Sequence, residues 1–249
     1  MRINKYLSAA GVCSRREADR LIASGAVTVN EAPAEPGMSV TEEDTVRVSG
    51  KPVQRTNPPV VLAYNKPKGV VCTSAKDDPD NIVDRIHYPV RIYPVGRLDK
   101  DSEGLILLTN QGELTDRLLR GRNMHEKEYI VTTDRPVTAE FLKRMSEGVP
   151  ILDTVTRPCR VKKLSSCVFS IVLTQGLNRQ IRRMCEALGY RVRKLVRIRV
   201  ADIRLGDLPP GEYRRIEGAE LEKLMVELER DKTFRNRDGA PADGGSGKR

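Results

Sequence analysis

From Val60 onward the apolar residues come in short runs: Val60–Tyr64, Gly69–Cys72, Leu105–Leu108, Tyr129–Thr132, Val168–Leu173 and Val192–Val200. Few helical segments lie between them. Strands of this length joined by turns predict an α+β domain on a largely antiparallel, mixed sheet, because alternating βαβ units would need a helix after nearly every strand. The helices expected around that sheet are Asn110–Leu119, Thr138–Glu147 with Thr138 as cap, Asn178–Leu188 with Asn178 as cap and Gly189 as stop, and Ala219–Glu229.

The first fifty residues have a different rhythm. Ile3, Tyr6, Leu7 and Ala10 recur at helical spacing up to Gly11, and Ser14 with Glu17 reads as a capping box opening a second helix. Ala18, Leu21 and Ile22 form its buried face, and Arg15, Arg16 and Arg20 its basic side. Strands are expected at Val27–Asn30 and Thr45–Val48. The polar, Pro-ended stretch 54–59 reads as a linker, and the aperiodic tail 231–249, rich in Gly, Asp, Arg and Lys, as disordered. The expected division is a small domain at 1–53, the linker, a catalytic-sized domain at 60–230, and the tail.

A net charge of +10 points to a polyanionic partner, since cations that neutralise phosphates release condensed counterions. Tryptophan is absent and aromatic residues make up 4%, so any base contact rests on one or two side chains rather than a stacking platform. The five cysteines are scattered, with no Cys-x-x-Cys pair and only two histidines, which argues against a zinc site. No phosphate-binding Gly-rich loop is present. No apolar run approaches the ~20 residues of a membrane span, and the N-terminus has no signal-peptide pattern, so the expectation is a cytoplasmic chain without membrane association.

Three stretches stand out chemically: Gly96-Arg97-Leu98-Asp99-Lys100-Asp101-Ser102-Glu103-Gly104, His125-Glu126-Lys127-Glu128-Tyr129, and Gln175 to Met184, which reads Gln-Gly-Leu-Asn-Arg-Gln-Ile-Arg-Arg-Met. Taken alone, Asp99 is an acidic turn residue, and Tyr129 a half-buried strand tyrosine. Together the stretches resemble the motifs of bacterial pseudouridine synthases that join an S4 domain to a compact catalytic domain. Asn4-Lys5-Tyr6-Leu7 and Cys13-Ser14-Arg15-Arg16-Glu17-Ala18 are similar to the S4 RNA-binding (α-L) module. Asp80 to Asp84, His125 to Tyr129 and Gly148 to Leu152 look most like the F-type large-subunit rRNA enzymes.

The resemblance implies an isomerase that converts uridine to pseudouridine without cofactor or metal. Asp99 would be the catalytic carboxylate, and Tyr129 would stack on the flipped uracil and relay a proton. Counting through the third motif puts the basic partner of Asp99 at Arg182, with Arg179 one turn earlier as the alternative. Asp101 and Glu103 read as loop-shaping or exposed. Leu195 and Val196 would line the pocket, while Arg97, Arg179, Arg183 and the loop residues Lys66 and Lys68 would touch RNA, with Arg15 and Arg16 on the S4 helix. The cations between Arg179 and Arg199 (Arg179, Arg182, Arg183, Arg191, Arg193, Lys194, Arg197 and Arg199, against Glu186) read as an RNA-facing wall. Implied partners are 23S rRNA in the pre-ribosomal large subunit and a tRNA anticodon, met by a monomer. The competing readings are a 16S rRNA synthase and a non-catalytic S4-type RNA-binding or ribosome-assembly protein.

Overall fold

Ser14 sets the first clear boundary: its Oγ accepts the Glu17 N–H at 3.1 Å and starts a nine-residue helix. The computed structural model describes residues 1–54, 58–75, 77–119 and 125–235, the last seven of these by backbone alone. In it, α1 (Ile3–Ala9) buries Ile3, Tyr6 and Leu7 and gives way at Gly11, whose φ of 81° a side chain would disfavour. α2 (Arg15–Ala23) buries Ala18 and Ile22. Only half of the capping box forms, because the Glu17 carboxylate turns to Arg20 at 2.9 Å instead of reaching back to the cap.

Four short strands complete this unit: β1 (Val27–Val29), β2 (Ala32–Pro33), β3 (Val46–Val48) and β4 (Lys51–Pro52), antiparallel in the order β2-β1-β3-β4. Ile3, Leu7, Ala18, Ile22, Val27 and Val46 give it a core of its own. Lys5 reaches Glu113 at 2.9 Å, across to the second unit. Residues 55–57 of the expected linker lie outside the described residues.

The second unit runs β5 (Val61–Lys66), α3 (Ile82–Ile86), β6 (Tyr93–Val95), β7 (Glu103–Thr109), α4 (Gly112–Leu119), β8 (Lys127–Thr133), α5 (Ala139–Glu147), β9 (Pro150–Ile151), β10 (Thr154–Val155), β11 (Arg160–Ser165), β12 (Val168–Leu173), α6 (Gln180–Ala187), β13 (Val192–Val200), β14 (Ile203–Arg204), β15 (Tyr213–Arg215) and α7 (Gly218–Arg235). Its nine-stranded sheet has the path β11-β12-β8-β13-β7-β5-β15, with β14 beside β13 and β6 beside β7. All described pairs are antiparallel except β13 with β7, where Val196 faces Glu103 and Arg197 faces Gly104. The α+β reading and the largely antiparallel, mixed sheet are therefore both found.

Why Leu105 to Leu108 is an unbroken apolar run becomes clear from its place in the middle of the sheet, covered on both faces. Leu105 and Leu107 pack with Leu114 and Leu118 of α4 and Leu224 and Leu228 of α7. Ile106 and Leu108 pack on the other side with Leu62, Tyr64, Ile82 and Leu98. Each such buried side chain contributes about 1.5–3 kcal/mol relative to exposure. Across β13, a third cluster joins Val131, Phe169, Ile171 and Leu195 to Phe141, Met145, Ile181 and Met184 of α5 and α6.

Several expectations need correction. Gly69–Cys72 is not a strand: Val71 makes one isolated bridge to Asn81, and the segment lies under the loop that follows β6, where Cys72 Sγ accepts the Leu98 N–H at 3.3 Å. α3 was not anticipated, because its five residues are too few to show a period; Asn81 caps it by accepting from Asp84 N at 2.8 Å. β11 was missed for a different reason. Arg-Val-Lys-Lys-Leu-Ser is an exposed edge strand, and its charges guard the edge instead of marking a buried face. α7 continues to Arg235, so the start of the expected disordered tail is helical; residues 236–249 lie outside the described residues.

Candidate active site

Between β6 and β7 the chain is pinned on both sides. Gly96 takes a φ of 78°, a conformation that side-chain-bearing residues rarely adopt, with the tip of Leu119 2.8 Å from where a Cβ would sit. Leu98 is buried beside Cys72. Lys100 accepts Gly69 N–H at 2.8 Å through its carbonyl and reaches Asp80 Oδ2 at 3.0 Å through its Nζ. Ser102 N–H closes the turn on Asp99 O at 3.0 Å. These bonds hold the backbone and leave the Asp99 carboxylate on the wall of a cavity of about 520 Å3, a volume typical of small-ligand sites.

The opposite wall is the turn into α6. Arg179 occupies the cap position in left-handed geometry, φ 51° and ψ 33°, a conformation that costs a non-glycine residue about 1–3 kcal/mol. From there its guanidinium spans to the β6–β7 loop, donating to both oxygens of Asp101 at 3.2 Å each and lying 3.6 Å from Asp99 Oδ2. Arg182, one turn later, donates through Nη2 to Asp101 O at 3.0 Å and Ser102 Oγ at 3.2 Å, and is 3.3 Å from Asp101 Oδ2. Arg182 makes no ion pair with Asp99. The count through the motif that favoured Arg182 is thus corrected in favour of Arg179, because the left-handed turn advances Arg179 toward the loop while Arg182 lies against the loop's backbone.

Asp101, read from sequence as a loop residue, is the acceptor both arginines share. Burial pushes its carboxyl up, but the Arg179 hydrogen bond and the charges of Arg182 and Arg179 outweigh this and hold it below the usual range. Arg179 is raised in turn, first by the bond to Asp101.

The floor is the sheet. Tyr129 of β8 sits opposite Arg197 of β13 and Ile171 of β12, and Leu195 lies two residues from Arg197 on the same face. Tyr129, Leu195, Lys127, Arg197, Leu173 and His125 all line the cavity. Val196 does not, since alternation turns it to the other face. His125 is buried with Nδ1 at 3.0 Å from Glu227 Oε1. Gly104 lets β13 approach: a Cβ there would fall well inside contact distance of Arg197 O and 2.7 Å from its N.

Other expected contact residues divide. Arg97 is exposed, lines the cavity and forms no ion pair among the described residues. Arg15 and Arg16 are exposed on α2, Arg15 with one weak bond to Asn4 Oδ1 at 3.4 Å. Arg183 folds back onto Asn178, and the cap position of α6 falls to Arg179 instead of the expected Asn178. Lys66, expected to touch RNA from a loop, is instead completely buried at the end of β5 with Nζ on Pro67 O at 2.9 Å, and burial lowers its pKa; its neighbour Lys68 is the exposed one. The basic wall also splits: Arg191 and Arg193 are exposed, Lys194 pairs with Glu103 at 3.4 Å, and Arg199 is held on the far face by Glu126 and Glu128 at 2.9 Å each. Lys127 and Arg197 were missed as cavity residues. Their signal was the two-residue spacing from Tyr129 and Leu195. Among the described residues no group of three or more His, Cys, Asp or Glu is placed to hold a metal, and no helix is long and apolar enough to cross a membrane.

Comparison with known proteins agrees with this architecture. Residues 60–187 match the RNA pseudouridylate synthase family and residues 1–46 the S4 domain. The dual-specificity RNA pseudouridine synthase RluF of Escherichia coli is 50% identical over 92% of this chain and 80% of its own. The ribosomal large subunit pseudouridine synthase B of Bacillus subtilis is 36% identical over 90% of this chain and 96% of its own. A crystal structure of a pseudouridylate synthase superposes with a TM-score of 0.67 at 29% identity, covering 90% of this chain and 99% of that one. An S4 module ahead of a mixed-sheet domain is thus matched along nearly the whole chain by enzymes of one kind, and the protein belongs to the RNA pseudouridine synthases, isomerising uridine in RNA.

Proposed function

We propose that the substrate is a uridine of 23S rRNA in the maturing large subunit, with a tRNA anticodon uridine as a second target, and that Asp99 is the carboxylate that acts at its ribose. The observation that carries the mechanism is the placement of Asp99 on the cavity wall beside Arg179, 3.6 Å away, above the Tyr129 floor. The target reading is supported by the two relatives, one named for dual specificity and the other for the ribosomal large subunit.

In the reaction the N1–C1′ bond breaks, uracil turns while held, and a C5–C1′ bond forms; C5 loses its proton and N1 gains one. Addition of the carboxylate to C1′ and removal of the C2′ proton by it both use the same placement of Asp99. Arg179 places its positive charge 3.6 Å from Asp99 Oδ2 and is itself held by Asp101. Tyr129 stacks on the extruded base, and its phenol moves a proton during rejoining. The exposed Arg15 and Arg16 of α2, with Arg97 of the cavity lining, orient the RNA through phosphates, and the protein acts as a monomer.

Incubating the purified protein with 23S rRNA and with bulk tRNA, then mapping carbodiimide-induced reverse-transcription stops, tests the reading. A new stop in 23S rRNA is expected, and none there would overturn the target. The Asp99→Asn variant should lose at least about 10³-fold in rate while still binding RNA; near wild-type turnover would remove Asp99 from the mechanism.

A further inference from the structure

The cavity is lined by five cations, Arg97, Lys127, Arg179, Arg182 and Arg197, and by one carboxylate, Asp99. Arg179 and Arg182 are answered by Asp101 from behind the wall. Lys127 and Arg197 are not. Arg197 is 4% exposed, donates Nε to Leu105 O at 2.6 Å, and makes no ion pair among the described residues. Lys127 has only the His125 carbonyl, at 3.2 Å. The acids beside Lys127 in the chain are committed to the far face of the sheet, where Glu126 meets Arg199 and Arg160 and Glu128 meets Arg199. The stretch from Leu119 to His125 contains no acidic residue. Burial and then the charge of Arg197 both lower the Lys127 pKa, with no carboxylate acting the other way.

Two neighbouring cations, Arg197 buried and Lys127 partly buried, with no carboxylate paired to either among the described residues, are unfavourable in the free protein. An anion in the cavity relieves both. A uracil carbonyl would accept a hydrogen bond but leave the charge standing, whereas a phosphodiester neutralises it and matches the fork of a guanidinium. We propose that Arg197 and Lys127 form an internal seat for a backbone phosphate next to the extruded uridine, so that the RNA strand itself, and not only the base, is gripped inside the cavity beside Tyr129. The seat rests on the reading of this cavity as the uridine site for the source of its phosphate, and its own test needs no turnover.

RNA affinity is measured against KCl concentration, with 23S rRNA as probe and the Asp99→Asn background to prevent turnover. Each neutralised phosphate contributes about 0.9 to the slope of log K against log salt, so Lys127→Met and Arg197→Met should each flatten it by up to about 1. Thermal unfolding with inorganic phosphate at constant ionic strength forms the second arm. Phosphate should raise the melting temperature of the intact chain more than that of Lys127→Met, and Lys127→Met without phosphate should melt above the unsubstituted chain because one of two like charges is gone. Should Arg197→Met fail to fold, Lys127→Met still decides. An unchanged slope in Lys127→Met overturns the strand seat, even where inorganic phosphate binds; equal phosphate shifts in both chains place the anion on the outer surface and overturn it too. A flattened slope, where the chain with Asp99 intact produces no pseudouridine in 23S rRNA, would sink the proposed target and leave the seat standing.

Discussion

Asp101 takes both terminal nitrogens of Arg179 at 3.2 Å, while Asp99 lies 3.6 Å from one of those same nitrogens. One guanidinium therefore serves two carboxylates unequally. Asp101 has the fork and Asp99 the remaining field, so that Arg179 is fixed in place before RNA arrives.

Asp101→Asn should accordingly slow the chemical step about 10–10²-fold with little change in RNA affinity, as read from single-turnover rates and binding isotherms. Rates equal to wild type would show that Arg179 needs no such holder. Stability supplies a second reading. The Asp101 carboxyl is lowered below its ordinary 3.8 in the folded chain, so its contribution is present above that pH and disappears as pH falls through the lowered value. The melting-temperature gap between wild type and Asp101→Asn should be open at pH 7 and close on acidification below about pH 4. With the side chain 39% exposed the gap is small.

Arg179 and Arg182 should separate experimentally. Arg179 has a side chain 43% exposed and acts on carboxylates, whereas Arg182, at 14%, ties down the backbone of Asp101 and the Ser102 hydroxyl. Arg179→Met is expected to lower kcat with only a small fall in the melting temperature. Arg182→Met should lower both, by several degrees in the second case, since it removes a largely buried hydrogen-bonded charge.

Gly104→Ala combines a positive φ of 100° with a collision against the Arg197 backbone. The two effects together should cost about 2–4 kcal/mol. Differential scanning calorimetry would show this as a fall of roughly 5–15 °C, and a fall of less than a degree would mean that β13 shifts freely.

For Tyr129, replacing the phenol alone is the informative change. Tyr129→Phe keeps the ring on the cavity floor and should retain RNA binding while losing about 10²-fold or more in rate. Tyr129→Ala should weaken binding as well, by about 1–3 kcal/mol of lost stacking.

Much of this arrangement could be seen in the residues themselves. Ser14, Thr138 and Gly189 marked helix ends because caps act locally, and the run Leu105–Leu108 marked a central strand because burial on both faces abolishes alternation. Motif likeness led to Asp99 and Tyr129. What stayed hidden depended on contacts between distant segments. Arg179 displaced Arg182 because of a single left-handed residue, which no periodicity reports. Lys66 was taken for a loop cation although it is the buried last residue of β5, and the loop begins only at Pro67. The role of Asp101 required knowing that a helix some eighty residues away in the chain faces it.

The lone parallel contact in the sheet, between β13 and β7, is a seam between two antiparallel halves. β11 and β12 can zip as a hairpin, but the seam waits on partners far apart in the chain, such as Arg197 and Leu105, 92 residues from each other, and so does the pairing of β15 with β5. Asp99 rides on the segment that leads into one side of that seam, and Tyr129 faces Arg197 on the other. During folding, competence to act on RNA should therefore arrive late and all at once, so that an incompletely folded chain still carries a finished S4 module able to occupy RNA without modifying it.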